Sequence, residues 1–325
     1  MKTARIIYNP TSGREGFKNK LADVLARFEQ AGYVTSAHQT TAKGNAIIAA
    51  KQACEARFDL IIAVGGDGTI NEVVSGMAEQ AYRPALGIIP AGTTNDFARA
   101  LKIPRTVDKA VTSIINGRME KLDIGKVNNH YFINIAGGGK LTEVSYEVPS
   151  KLKTVLGQLA YVMKGAEMVP RLRPIHTTIA YDGEVFEGEI MLFLIANSNS
   201  VGGFEKLAPD ATMNDGLFDL FVLKKTNFAE FIRVITAALR GQHLHDKNVF
   251  HVKAKDIRVT TDETMQLNVD GEFGGLLPGH FTNLPQHITY ILPTNEQEEA
   301  DEQAAALEAI AFPDDLTAPK KTDEE

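Results

Sequence analysis

Two textures of apolar and polar positions follow one another along this chain. From Thr3 to Lys121, short apolar runs alternate with amphipathic stretches of helical period, the pattern of βαβ units around a parallel sheet. Strands are expected at Ala4 to Tyr8, Val34 to Gln39, Leu60 to Val64 and Leu86 to Ile89. Between them, Phe17 to Ala31 puts Leu21, Val24, Leu25 and Phe28 on one helical face, and Lys43 to Arg57 does the same with Ile47, Ala50 and Cys54. A further helix is predicted from Thr69 to Ala81.

Beyond about Asp123 the runs become strand-like and are separated by Gly, Asn and Asp: Tyr131 to Ile135, Thr177 to Tyr181, Ile190 to Ala196, Phe218 to Leu223, Ile257 to Thr261 and Met265 to Val269. Helices at Lys153 to Met168 and Phe228 to Leu239 interrupt them, and His287 to Leu292 is a last strand that could return to either half. The pattern predicts an α/β domain over residues 1–123, a β-rich domain over 124–293 and a disordered acidic tail over 294–325, with a short helix near Ala304 to Ile310. No repeat of solenoid period is present.

Composition narrows the setting. A chain of 325 residues, 44% of them hydrophobic, can bury a large core. No apolar stretch approaches the roughly 20 residues of a membrane span, and no leader precedes the first strand, so a cytoplasmic protein is expected. The lone Cys54 excludes a disulfide framework and reads as a core residue. The net charge of −7 is uneven: eleven acidic residues and two lysines from Glu296 onward put −9 on the tail and leave the body at +2. A mildly basic body suits both ATP and an anionic membrane surface. Nucleic acid is not expected as a partner.

The strongest chemical signal is Leu60 to Glu72, an apolar strand entering a glycine turn and then a helix. Glycines let the backbone approach an anion, and the N–H groups opening the helix supply donors. The turn lacks the Gly-Lys-Ser/Thr of a Walker A loop and the third glycine of a dinucleotide fingerprint, where Asn71 stands. A glycine turn needed only for packing is the alternative reading. Asp67 weighs against it, since a carboxylate facing phosphates is unfavourable unless it holds magnesium or accepts a proton. Two more loops, Asn9-Pro10-Thr11-Ser12-Gly13 and Pro90 to Ala98, fall at the same carboxyl edge of the sheet, with Thr40 nearby.

These three motifs resemble the nucleotide site of the diacylglycerol kinase catalytic family, shared with sphingosine kinases and more distantly with NAD kinases. Asn214-Asp215-Gly216-Leu217-Phe218-Asp219 and Leu267-Asn268-Val269-Asp270-Gly271-Glu272 resemble its C-terminal signatures, and Val148 to Lys153 resembles the soluble bacterial diacylglycerol kinases in particular. The resemblance runs from Thr3 to Pro293. It implies an N-terminal three-layer α/β nucleotide-binding domain, NAD kinase/phosphofructokinase-like, followed by a β-rich sandwich-like domain. It further implies that Asn9, Pro10, Thr11, Ser12, Gly13, Thr40, Gly66, Asp67, Gly68, Thr69, Ile70, Asn71, Glu72, Thr93 and Asp96 form the ATP site.

By the same resemblance Glu272 is the general base, with Asp270 beside it. Two carboxylates one glycine apart fit that task, because repulsion can raise the pKa of one while the other holds metal or positions it. A hairpin turn with acidic flanks is the plainer reading of those residues. The family also implies Mg²⁺ held by Thr212, Asp215 and Leu217, a structural ion tied through water to Asp67 and Asp96, where the residues alone read as a turn. A second, ATP-bound magnesium would then serve the chemistry.

The activity implied is transfer of the ATP γ-phosphoryl group to diacylglycerol, by a homodimer acting transiently at the inner face of an anionic membrane. Phosphatidylglycerol, a long-chain base, a soluble acceptor as in NAD kinases, and a nucleotide-binding module without catalysis are the alternatives. The helix from Lys153 to Met168, with Lys151, Lys153, Lys164, Arg171 and Arg173 crowding its ends, reads as a core helix or as a membrane-docking one. His243 and His245 read as surface residues with no zinc set around them.

Overall fold

The apolar run at Leu60 becomes β3 (Leu60–Gly65), buried along its whole length because it is an inner strand with helices packed against its sheet. It pairs in parallel with β1 (Lys2–Tyr8) on one side and β4 (Ala85–Pro90) on the other, and β1 pairs in parallel with the edge strand β2 (Tyr33–Gln39). This is a computed structural model that describes residues 1–12, 16–139, 173–199, 208 and 211–298. Gly13, the 148–153 motif, the helix with Lys151, Lys153, Lys164 and Arg171, and the tail beyond 298 lie outside those residues.

The expected helices form, although Ile47, placed on the inward face of the second, is exposed because that helix buries its alanines instead. In α1 (Gly16–Gln30), Phe17, Val24 and Phe28 are buried; in α2 (Asn45–Glu55), a small-residue face of Ala46, Ala49, Ala50, Ala53 and Cys54 packs inward. The buried Cys54 thiol is pushed up to about 11 by desolvation, as a core residue should be. After β3 come α3 (Asp67–Met77), β4, the single turn α4 (Asp96–Ala100) and α5 (Val107–Asn116).

The second half is antiparallel: β5 (Arg118–Val127), β6 (His130–Phe132), β7 (Ile135–Gly139), β8 (Ile175–Tyr181), β9 (Glu184–Ala196), β10 (Phe218–Lys224), α6 (Phe228–Leu239), β11 (Val249–Ala254), β12 (Asp256–Thr261), β13 (Gln266–Val269), β14 (Glu272–Leu276) and β15 (Gly279–Leu292). Helix α6 starts where predicted because Asn227 and Glu230 form a reciprocal capping box.

One sheet runs through both halves in the order β14-β13-β7-β9-β8-β12-β15-β4-β3-β1-β2. The joint is β15. Its first part pairs with β12 and its whole length follows β5, while Tyr290 stands in parallel register with Leu86 of β4. The last strand therefore serves both halves. Its register slips between Leu284 and Ile288, at Gln286 with φ +47°. Two cores flank this seam, one around Ile6, Ile62, Phe97 and Tyr290, the other around Phe132, Phe193, Phe218 and Phe281.

Three expectations are corrected. Tyr131 to Ile135 is two strands, broken at Ile133 and Asn134, whose N–H groups leave the sheet for the Asp270 carboxylate. His243 is buried in a 3₁₀ turn (His243–His245) against the Phe221 ring, while His245 stays exposed. The tail does not loosen at once after Pro293: residues 295–298 are helical, Thr294 and Gln297 cap each other, and Glu298 lies 3.1 Å from Lys102 and 3.6 Å from Arg118.

Candidate functional site

At the carboxyl ends of the parallel strands the chain leaves a cleft of ≈ 460 Å³. Its lining brings together Asn9, Pro10, Thr11 and Ser12 after β1, Thr40 after β2, Gly66, Gly68, Thr69 and Glu72 around the start of α3, and Glu272 from the second half. The sequence pointed to all of these. Thr41, Ala42, Lys43 and Ala46 also line it and were not foreseen. They carry no phosphate-loop pattern, and only the turn between β2 and α2 places them here.

Backbone and carboxylates shape the walls. Asn9 folds its own loop by accepting from the Thr11 N–H and hydroxyl at 3.0 and 2.8 Å. Glu72 accepts from the N–H groups of Gly44 and Ala46 at 2.8 and 3.2 Å, so it closes the amino end of α2 while lining the cleft. The loops after β3 and β4 touch through glycine: a Cβ on Gly92 would stand 2.5 Å from the Gly66 Cα. Asn95, left-handed at φ +51°, bonds its side chain to both the N–H and the carbonyl of Gly92 and holds that contact.

Asp67 has an answer that the sequence did not suggest. Its two oxygens accept from the N–H groups of Asp96 and Phe97 at 3.2 and 3.1 Å, which caps α4. The carboxylate thus finds two backbone donors at a helix end. Asp96 pairs with Arg99 at 3.4 Å, Thr93 is exposed on its loop, and Ile70 is a core residue; none of the three lines the cleft.

Asp270 is also turned away from it. Asp270 and Gly271, both at positive φ, make the two-residue turn of the β13–β14 hairpin that the plainer reading foresaw, and Val269 faces Glu272 across it. The Asp270 carboxylate accepts from Ile133, Asn134 and Ile135 N–H at 2.8 to 2.9 Å and from the Asn71 amide at 2.7 Å. Enclosure pushes its pKa up to about 6 against the pull of those donors. Desolvation, not repulsion from Glu272, is the cause. Asn71, expected to meet ATP, instead spans from α3 to this turn and to the Tyr131 carbonyl at 3.0 Å. The nucleotide helix is thereby fastened to the hairpin that presents Glu272 at the cleft. A Cβ placed on Gly68 would lie 3.5 Å from Glu272 Oε1.

At the seam, Asp215 accepts from the Thr212 hydroxyl at 2.6 Å and the Leu217 N–H at 3.0 Å, with the Lys253 ammonium 3.2 Å away. Burial works to raise its pKa, but those donors outweigh it and hold the carboxyl below the usual range. Neighbouring Asp123 was seen in the sequence only as a boundary. It is almost fully buried and accepts from Gln286 N–H at 2.6 Å and Gly216 N–H at 2.7 Å, plugging the slip in β15; burial raises its pKa. No group of three or more His, Cys, Asp or Glu suited to a metal occurs among the described residues. The donors at Asp215 are hard oxygens on an ionised carboxylate, with a lysine where a cation would sit. That chemistry fits a magnesium ion which keeps several waters.

No helix among the described residues is long and apolar enough to cross a membrane. Residues 3–127 match the family described as diacylglycerol kinase catalytic domain, and residues 143–292 match the YegS C-terminal NAD kinase beta sandwich-like domain. The chain is 62% identical to a diacylglycerol kinase of Bacillus subtilis over 93% of its own length and 100% of that protein's. It is 53% identical to a diacylglycerol kinase of Staphylococcus epidermidis, over 90% of this chain and 92% of that one. A solved diacylglycerol kinase structure from Bacillus anthracis superposes with a TM-score of 0.76 at 30% identity, covering 90% of this chain and 97% of that one. With a cleft assembled from both halves and relatives matched nearly end to end, the chain belongs to the diacylglycerol kinase catalytic family.

Proposed function

We propose that the cleft binds ATP and that the chain transfers its γ-phosphoryl group to the hydroxyl of diacylglycerol, giving phosphatidic acid and ADP. The observation that carries this reading is the meeting of the β1, β2 and β3 loops with Glu272 in one cleft. The loops offer backbone N–H groups and hydroxyls to phosphates, and the carboxylate comes from the half that does not bind them. Phosphoryl transfer asks of the protein mainly position and charge balance, plus a base to orient the attacking hydroxyl. Glu272 is that base in our reading, and Asp270 and Asn71 position it rather than touch the reactants. The relatives bear the name of diacylglycerol kinases, which favours diacylglycerol over phosphatidylglycerol, a long-chain base or a soluble acceptor. Because its acyl chains stay in a bilayer, the enzyme would meet this substrate at a membrane surface.

Mg²⁺ would be held by Asp215 with Thr212 and Leu217, displacing Lys253. There it would tie the loop before β10 to the seam, while the ion that shields the phosphates would travel with ATP.

The test is ³²P transfer from ATP, with magnesium, to diacylglycerol in anionic mixed micelles, beside phosphatidylglycerol, sphingosine and NAD⁺. Label in phosphatidic acid that falls by about 10²–10⁴-fold in Glu272→Gln supports both substrate and base. Labelling of another acceptor, or a fully active variant, refutes them. Asp215→Ala should raise the magnesium concentration needed for half-maximal rate, and an unchanged requirement would exclude that site.

A further inference from the structure

The cleft gathers negative charge. Glu72 and Glu272 line it, ATP would add its own, and Lys43 is the one cation among the described residues of the lining. In the structure the Lys43 ammonium stands 2.6 Å from the Glu272 carboxylate. The ammonium occupies Glu272 Oε2, so an alcohol offering its proton to that oxygen must compete with it. The backbone around Lys43 is fixed, because Glu72 pins Gly44 and Ala46 just behind it. Its side chain is 76% exposed and has room to move.

We propose that Lys43 reads the γ-phosphoryl group and changes partner as it does so. Without nucleotide it pairs with Glu272; with ATP in the cleft it moves to the phosphoryl oxygens and releases the carboxylate. The inference rests on the reading of Glu272 as the base. In the reaction, the lipid O–H bond breaks with its proton going to Glu272, the oxygen forms a bond to the γ-phosphorus, and the β,γ-bridging bond breaks with its electron pair leaving on ADP. Lys43 gives up no proton at any stage. Its hydrogen bond to Glu272 already holds its pKa above the ordinary lysine value, and a phosphate partner favours the charged form in the same way. A flexible stem carrying a compact point charge suits such an exchange. Both oxygens of Glu272 are then open only when ATP is present, so the carboxylate becomes fully available to the lipid hydroxyl in an occupied site.

The experiment is calorimetric titration of the full chain with ADP and with the non-hydrolysable β,γ-imido analogue of ATP, in excess magnesium. Lys43→Met should weaken the analogue by about 10-fold and ADP by less than about 2-fold, and Lys43→Arg should restore most of the difference. Glu272→Gln, which leaves Lys43 in place but uncompeted, should tighten the analogue by about 3- to 10-fold without affecting ADP. A Lys43→Met chain that binds the two nucleotides in the wild-type ratio overturns the proposal. So does a Glu272→Gln chain with that ratio unchanged, a result that does not depend on how Lys43 variants fold. Because the readout is nucleotide binding, a wild type that fails to phosphorylate diacylglycerol would remove the lipid reading and leave this one standing.

Discussion

Asn71→Ala should destabilise the protein more at pH 8 than at pH 5. The substitution removes a 2.7 Å bond to Asp270 and a 3.0 Å bond to the Tyr131 carbonyl. The first is charge-assisted while Asp270 is ionised and is worth about 1.5–3 kcal/mol, the second about 1 kcal/mol. Alanine's better helix propensity returns about 0.5 kcal/mol. The loss at pH 8 is therefore about 2–4 kcal/mol.

At pH 5 the enclosed carboxyl, with its pKa near 6, is protonated, and the same deletion costs about 1–2 kcal/mol. The direction follows from linkage. Asp270 titrates above its unfolded value, so its contribution to stability is complete below about pH 4 and is lost as pH rises through about 6. Removing a donor to the ionised form carries that titration higher by about one pH unit and deepens the loss. Urea unfolding followed by circular dichroism at the two pH values measures the gap. Equal destabilisation at both, or none, would refute the view that Asn71 stabilises an ionised Asp270. In the same variant the hairpin bearing Glu272 loses its tie to α3, and kcat should fall by about 10-fold or more.

Gly92→Ala should cost about 1–3 kcal/mol, because the new methyl would meet Gly66 at 2.5 Å and Asn95 at 2.7 Å. It should weaken nucleotide binding too, as thermal melting and an ATP titration would show. Glu72→Ala strips two N–H groups of their acceptor, so a loss of about 1–2 kcal/mol and a raised KM for ATP are expected from melting and kinetics. His287 accepts the Glu79 N–H on Nε2 at 2.9 Å, and burial holds its pKa below the ordinary value. The unfolded chain therefore takes up that proton first, and stability should fall as pH drops through about 6.5. His287→Gln should flatten the decline in Tm between pH 7 and pH 5.5.

Local pattern placed the nucleotide half well. β1, β3 and β4 were legible because their apolar runs are buried, and the β3 glycine turn marked the cleft, whereas Val34 of β2 and Ile47 of α2 stand exposed against the pattern. Strand β5 escaped notice because it opens with Arg118, Met119, Glu120 and Lys121 and becomes buried only from Leu122. β14 hides behind Gly274 and Gly275, which weaken any strand signal. The partners of Asp270, the contact of Lys43 with Glu272 and the plug formed by Asp123 join residues far apart in sequence. No periodicity encodes such pairs, and only the closed fold supplies the donor.

Strand β15 makes the order of synthesis matter. β4 lies between β3 and β15, so the free edge of the nucleotide half stays open until residues 279–292 arrive. At about 5–20 residues per second, the ribosome needs roughly 10–40 s to travel from β4 to that strand. Throughout that interval a parallel sheet stands with an unpaired flank, the kind of surface that recruits other chains. A nascent chain stalled before β15 should therefore be bound by chaperones or degraded, and the enzyme should gain its nucleotide site only once its last strand has closed the sheet.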